Sequence, residues 1–241
     1  MASKVKKSRK ELLQEPDEFM VLSGRLVKFL RTYQQQVLYA VLGILLILGA
    51  IAVARYVSSR NEDKASRMWA EVKTTYQSVL QNQADGAGTA SAEAALAAVD
   101  ADFIQLIDKY GSKPSGRLAR LNYAQLCLAA GKPDAALPHF NACLTALGDD
   151  PAWRPVVLSG LGHALAETGQ PAEAAQRFDE IVAGDGNVFK AEALFQLGWL
   201  YDQTGESQKS RGAYERLIAD FPDSTYAELV RDQVEQPKLD S

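Results

Sequence analysis

The chain has 241 residues, a formal net charge of −4, two histidines and two cysteines. No HExxH, paired CxxC, P-loop or GxSxG pattern occurs in it. That excludes the metal and nucleophile constellations those patterns mark, so no enzyme, cofactor or small-molecule substrate is expected.

The N-terminal segment, residues 1–36, is basic: eight lysines and arginines against four acids. Lys4, Lys6, Lys7, Arg9 and Lys10 cluster at its start. Beside a membrane such a cluster meets anionic lipid more simply than nucleic acid, and no nucleic-acid partner is expected. Residues 18–32 place Phe19, Leu22, Leu26, Phe29 and Leu30 near one helical face, with Arg25, Lys28 and Arg31 on the polar side. This pattern reads as an interfacial helix or as an extension of the helix that follows.

Val37 to Ala54 is an uncharged, almost wholly apolar run of 18 residues. At 1.5 Å per residue it rises about 27 Å, close to the hydrocarbon thickness of a bilayer. Core helices of soluble domains are usually amphipathic, and this one is apolar all round. It exceeds the h-region of a cleaved signal peptide and follows a segment too long for an n-region, although small-x-small patterns occur near Ala52. The expectation is an uncleaved transmembrane helix over 37–56. The basic N-terminus stays cytoplasmic, and the long remainder, with 18 basic and 26 acidic residues, crosses.

Beyond the span, three stretches align on a glycine: LCLAAGKPDAALPHF at Gly131, ALAETGQPAEAAQRF at Gly169 and LYDQTGESQKSRGAY at Gly205. A small residue precedes each glycine by seven (Ala124, Gly162, Gly198), and another follows by five (Ala136, Ala174, Ser210). An aromatic follows by nine (Phe140, Phe178, Tyr214). The glycine closes a turn between antiparallel helices, and the small residues let the helices approach. The aromatic fills the gap against the next pair. One hairpin cannot bury its apolar face alone, so hairpins stack.

The pattern resembles the tetratricopeptide repeat. It implies an all-α fold: an α-solenoid of helical hairpins behind a single transmembrane helix. A degenerate first hairpin is expected over 57–115, with a first helix near 60–80 around Trp69, Val72, Tyr76 and Leu80 and a flexible insertion from Gln81 to Ser91. Three repeats follow over 116–223, then a capping helix and tail over 224–241.

Cys127 and Cys143 read as small core residues. Facing positions in their hairpin put them roughly 15 Å apart in register, too far for a disulfide. His139 reads as solvated. By the resemblance, the first helices line a concave face with Leu121, Gln125 and Leu128, then Ser159, His163 and Ala166, then Phe195, Trp199 and Asp202. Of these Gln125, His163, Phe195, Trp199 and Asp202 are the candidate protein-binding residues. His163 fits a groove position or a packed one. Phe195 and Trp199, four apart, share a helical face and are either binding anchors or packing under the cap.

A basic tail, one span and an exported repeat domain, in that order, resemble the YfgM-type ancillary subunits of the bacterial SecYEG translocon. The resemblance implies a single-pass protein of the bacterial inner membrane, N-terminus cytoplasmic and C-terminal domain periplasmic, that binds translocon components and periplasmic chaperones. A second reading is an envelope-assembly or cell-division scaffold, because RLIADFPDST near the end resembles repeats of outer-membrane-assembly and Tol-associated proteins.

Overall fold

A computed structural model describes residues 28–29, 31–82, 89–187 and 189–235. The Lys4–Lys10 cluster and most of the 18–32 stretch lie outside the described residues. Among the described residues every regular element is an α-helix. They are α1 (Gln34–Asn82), α2 (Thr89–Tyr110), α3 (Pro114–Ala129), α4 (Pro133–Leu147), α5 (Arg154–Glu167), α6 (Pro171–Ala183), α7 (Lys190–Gln203), α8 (Ser207–Asp220) and α9 (Thr225–Glu235). The fold is the expected solenoid of helical hairpins behind an apolar N-terminal helix.

The chain divides after Ser59 into two compact units. In the first, α1 carries the apolar run, and its side chains are bare: Leu46 is 72% and Ile47 62% exposed. A helix this apolar with no protein cover has the character of a bilayer-crossing segment. It is the one helix among the described residues long and apolar enough to cross a membrane, and it fits a single-pass anchor.

Helix α1 does not stop where the apolar run stops. It continues unbroken to Asn82, where separate helices were expected. The cause is plain in the sequence, since no glycine or proline lies between Ala50 and Asn82 to end it. The expected insertion is also narrower. Gln81 and Asn82 belong to α1, Thr89 to Ser91 belong to α2, and only 83–88 lie outside the described residues.

The second unit begins at Arg60 and packs its helices in chain order. Trp69 of α1 meets Phe103 of α2 with ring centroids 5.7 Å apart, and Phe103 meets Tyr123 of α3 at 5.3 Å. Glu62 of α1 reaches the start of α3: its Oε1 accepts from the Ser115 backbone N–H at 3.1 Å and from the Ser115 hydroxyl at 2.5 Å. A carboxylate there satisfies an orphan donor and complements the positive end of the helix dipole.

The three hairpins turn alike. Gly131, Gly169 and Gly205 have φ of 67°, 77° and 78°, the left-handed region that L side chains adopt at a cost. In each turn the residue after the glycine donates back to the carbonyl five before it: Lys132 to Cys127, Gln170 to Leu165, Glu206 to Tyr201. Each glycine N–H donates to the carbonyl three before it. This is the Schellman closure, which satisfies carbonyls the helix end leaves open. Pro133 and Pro171 then start the next helices, where a missing N–H is harmless.

Packing inside the hairpins differs in one respect from the expectation. In the second and third hairpins the small residue seven before the turn lies under the aromatic of its own hairpin. A Cβ on Gly162 would sit 2.7 Å from the Phe178 ring, and one on Gly198 would sit 2.2 Å from the Tyr214 ring. In the first, Phe140 meets the next hairpin as expected, with Gly160 leaving room for it. Cys127 and Cys143 are free and buried in this core. Burial pushes the Cys143 thiol up to about 11. Helix α9 closes the end, burying Ala227 and Val230.

A candidate protein-binding groove

The helices that begin each hairpin, α3, α5 and α7, lie side by side. Six residues before each turn glycine stand Gln125, His163 and Trp199, so equivalent positions succeed one another across the array. Two clefts run between these helices. The first, about 520 Å³, is walled by Gln125, Leu128 and Ala129 of α3 and by Val156, Ser159 and His163 of α5. Gly131, Gly160, Glu167 and Phe189, the last just before α7, complete its wall. The second, about 300 Å³, lies between His163, Ala166 and Glu167 of α5 and Phe195, Gln196 and Trp199 of α7. His163 and Glu167 belong to both, which makes the clefts neighbours along one surface.

The two aromatics on α7 have different surroundings. Trp199 is 44% exposed, an unusual exposure for so large a side chain. Phe195 is half-buried and packs on the closing helix, its ring 5.3 Å from Tyr226 of α9 and 6.3 Å from Tyr214 of α8. Trp199 thus offers apolar area to solvent, while Phe195 supports the wall from within.

His163 is engaged rather than open. Its Nε2 lies 2.8 Å from Glu192 Oε1, and the Ser159 hydroxyl donates to the same oxygen at 3.2 Å. With Glu192 ionised, Nε2 carries the proton. The His163 and Phe178 rings also meet in a T-shaped arrangement, centroids 5.3 Å apart. The contacts to Glu192 tie α5 to α7. Burial, and after it the Glu192 charge, push the Tyr226 hydroxyl up.

The remaining positions divide. Gln125 is exposed on the first cleft. Asp202 is exposed but lines neither cleft, and its charge, after burial, raises the Tyr214 hydroxyl. Leu121, expected to face the groove, is 2% exposed and lines neither cleft, whereas Ser159, at 6%, lines the first. Helical periodicity gives a face but not which part of it a neighbouring helix covers. His139, read as solvated, is half-buried against Tyr123, ring centroids 4.8 Å apart. Burial, and secondarily Arg120, lower its basicity.

Two wall residues, Glu167 and Phe189, and Glu192 behind His163 carried no sequence signal. Glu192 is an ordinary first-turn acid of α7 until its contact across to α5 is seen. Glu167 is an ordinary last residue of a helix. Phe189 holds φ of 66°, a left-handed conformation rare for an aromatic, and nothing in the loop sequence marks it.

The chain belongs to the tetratricopeptide repeat-like domain family, whose model matches residues 28–241. Among solved structures, a Podospora anserina putative kinesin light chain with nearly identical repeats is 14% identical with a TM-score of 0.55, covering 69% of this chain and 84% of that one. The repeat domain of Arabidopsis FLU is 22% identical, TM-score 0.43, over 45% and 96%. Pseudomonas aeruginosa PilF is 14% identical, TM-score 0.41, over 73% and 82%. The first of these supports the fold. No curated protein matches the chain. The chain is therefore a tetratricopeptide-like protein-interaction scaffold, a fold that generally performs no catalysis.

Proposed function

We propose that this scaffold is held by α1 in a bacterial inner membrane, with the basic tail, residues 1–36, cytoplasmic and the repeat domain in the periplasm. The span covers 37–56, a degenerate hairpin 57–115, the repeats 116–223 and the cap 224–241. Protein segments bind across Gln125, His163, Phe195 and Trp199, with Asp202 at the margin. The partners are translocon subunits and periplasmic chaperones, and the role is that of an ancillary subunit in protein export. The layout of tail, span and repeats supports the location, and the charge asymmetry around the span supports the orientation.

One observation carries the binding role: Trp199 stands 44% exposed in the wall of a cleft between two inner helices. Exposed aromatics in concave, partly desolvated settings are the usual anchors of protein interfaces. The test is a photo-crosslinking amino acid at position 199 of the full chain in native membranes, with a control at Glu215, exposed on α8. Adducts with translocon subunits or periplasmic chaperones from 199 alone are expected. Adducts equal at both positions would refute the groove. Adducts with outer-membrane-assembly or Tol-associated proteins would replace the export role with envelope assembly.

A further inference from the structure

The walls of the two clefts name a charge. Neither lining contains a lysine or an arginine. Their ionisable groups are His163, already bonded to Glu192, and Glu167, which is exposed and lines both clefts. Two of the three arginines on the inner helices are engaged elsewhere. Arg154 is paired with Glu180 of α6 at 2.5 Å, and Arg117 donates to the Ala146 carbonyl of α4.

The backbone at Glu167 carries the same sign. Glu167 is the last residue of α5, and Leu128 and Ala129, the end of α3, wall the first cleft. Although the turn hydrogen bonds pair most of their last carbonyls, these helix ends carry the negative end of the dipole, which favours a cation, while Val156 and Phe189 bring the opposite ends of α5 and α7 to the first cleft. An exposed indole beside a carboxylate suits the same guest, since a guanidinium or ammonium is attracted to the face of tryptophan while its methylene stem covers apolar wall.

We infer that the double cleft takes an extended protein segment carrying a lysine or arginine, its cation set against Glu167 and its apolar neighbour against Trp199. The inference rests on the reading of this surface as the protein-binding groove and adds the chemistry of what it selects. Glu192 supports the selection, because its carboxylate offsets any positive charge that His163 would bring to the cleft.

The test is a selection from a phage-displayed random hexapeptide pool. The full chain is held in phosphatidylcholine nanodiscs, and empty nanodiscs are subtracted so that lipid charge plays no part. The expected result is enrichment of lysine or arginine, at least about fivefold over acidic residues, next to an apolar residue. Glu167→Gln should lose the cation preference and keep the apolar one. Enrichment of acidic residues, an unenriched pool, or cation enrichment unchanged in Glu167→Gln would overturn the inference. Trp199→Ala separates the two levels: if it leaves every preference intact, the groove reading itself fails. If it abolishes apolar enrichment in a pool that never favoured cations, the groove stands and the charge selection falls.

Discussion

At the scale of single residues the fold rests on contacts too tight for change. Gly198 lies under the Tyr214 ring, with no room for even a methyl group. Gly198→Leu forces that ring or the helix to move, and overpacking of this kind costs about 1–3 kcal/mol. For a domain of this size that lowers Tm by about 2–4 °C per kcal/mol. Circular dichroism of the full chain on heating checks it, and an unchanged Tm would mean the ring is elsewhere. His139 gives a prediction in pH. Its folded-state basicity is lowered by burial, and then by Arg120, so the unfolded chain binds the proton more readily. Its stabilising contribution is complete above the unfolded pKa, about 6.5, and is lost as pH falls below it. Between pH 8 and pH 5 the wild type should lose more Tm than His139→Gln. Parallel losses would contradict this. The small–glycine–aromatic spacing was legible in the chain because one repeat echoes the next. The burial of His139 was not, because it depends on Tyr123 of the preceding helix.

At the scale of elements the turns were the most readable part. A glycine that must be left-handed, with proline or serine two residues on, marks the turn with local chemistry alone. Helix α1 runs past the change of composition after Ala54, from apolar to mixed, because such a change does not itself break a helix. The absence of glycine and proline after Ala50 was the better guide. What sequence could not supply were contacts between elements, and Glu62 shows why. It stands 53 residues before Ser115 and has no local motif. Removing it leaves a helix-start donor without its partner, so Glu62→Ala should destabilise by about 1–2 kcal/mol. Denaturant unfolding of the full chain measures this, and a midpoint equal to wild type would deny that the carboxylate caps α3. Glu192 is the same case on α7, with a role visible only when α5 is beside it.

At the scale of the whole molecule the chain joins two kinds of exposed apolar surface. One is the bare run of α1. The other, in the repeat unit, comprises Ile104, Leu229 and Trp199, the last on a helix whose positions Leu194, Leu197 and Leu200 are buried. The fold class and the inner-helix face were legible because repeats impose periodicity. Which of Phe195 and Trp199 stays open was not, because the answer lies in where α9 docks. The central claim is that Trp199 is kept for binding rather than for packing. Its exposure predicts that Trp199→Ala costs the fold about 0.5 kcal/mol or less, as surface substitutions do. A binding anchor, in contrast, is worth about 2 kcal/mol or more to a partner. The direct measurement is photo-crosslinking from position 196, in the same cleft, in the wild-type chain and in Trp199→Ala, at a temperature where both are folded. The account predicts a folded variant whose crosslinked partner is largely lost. A variant that unfolds early yet crosslinks as well as wild type while folded would contradict it and leave Trp199 as packing.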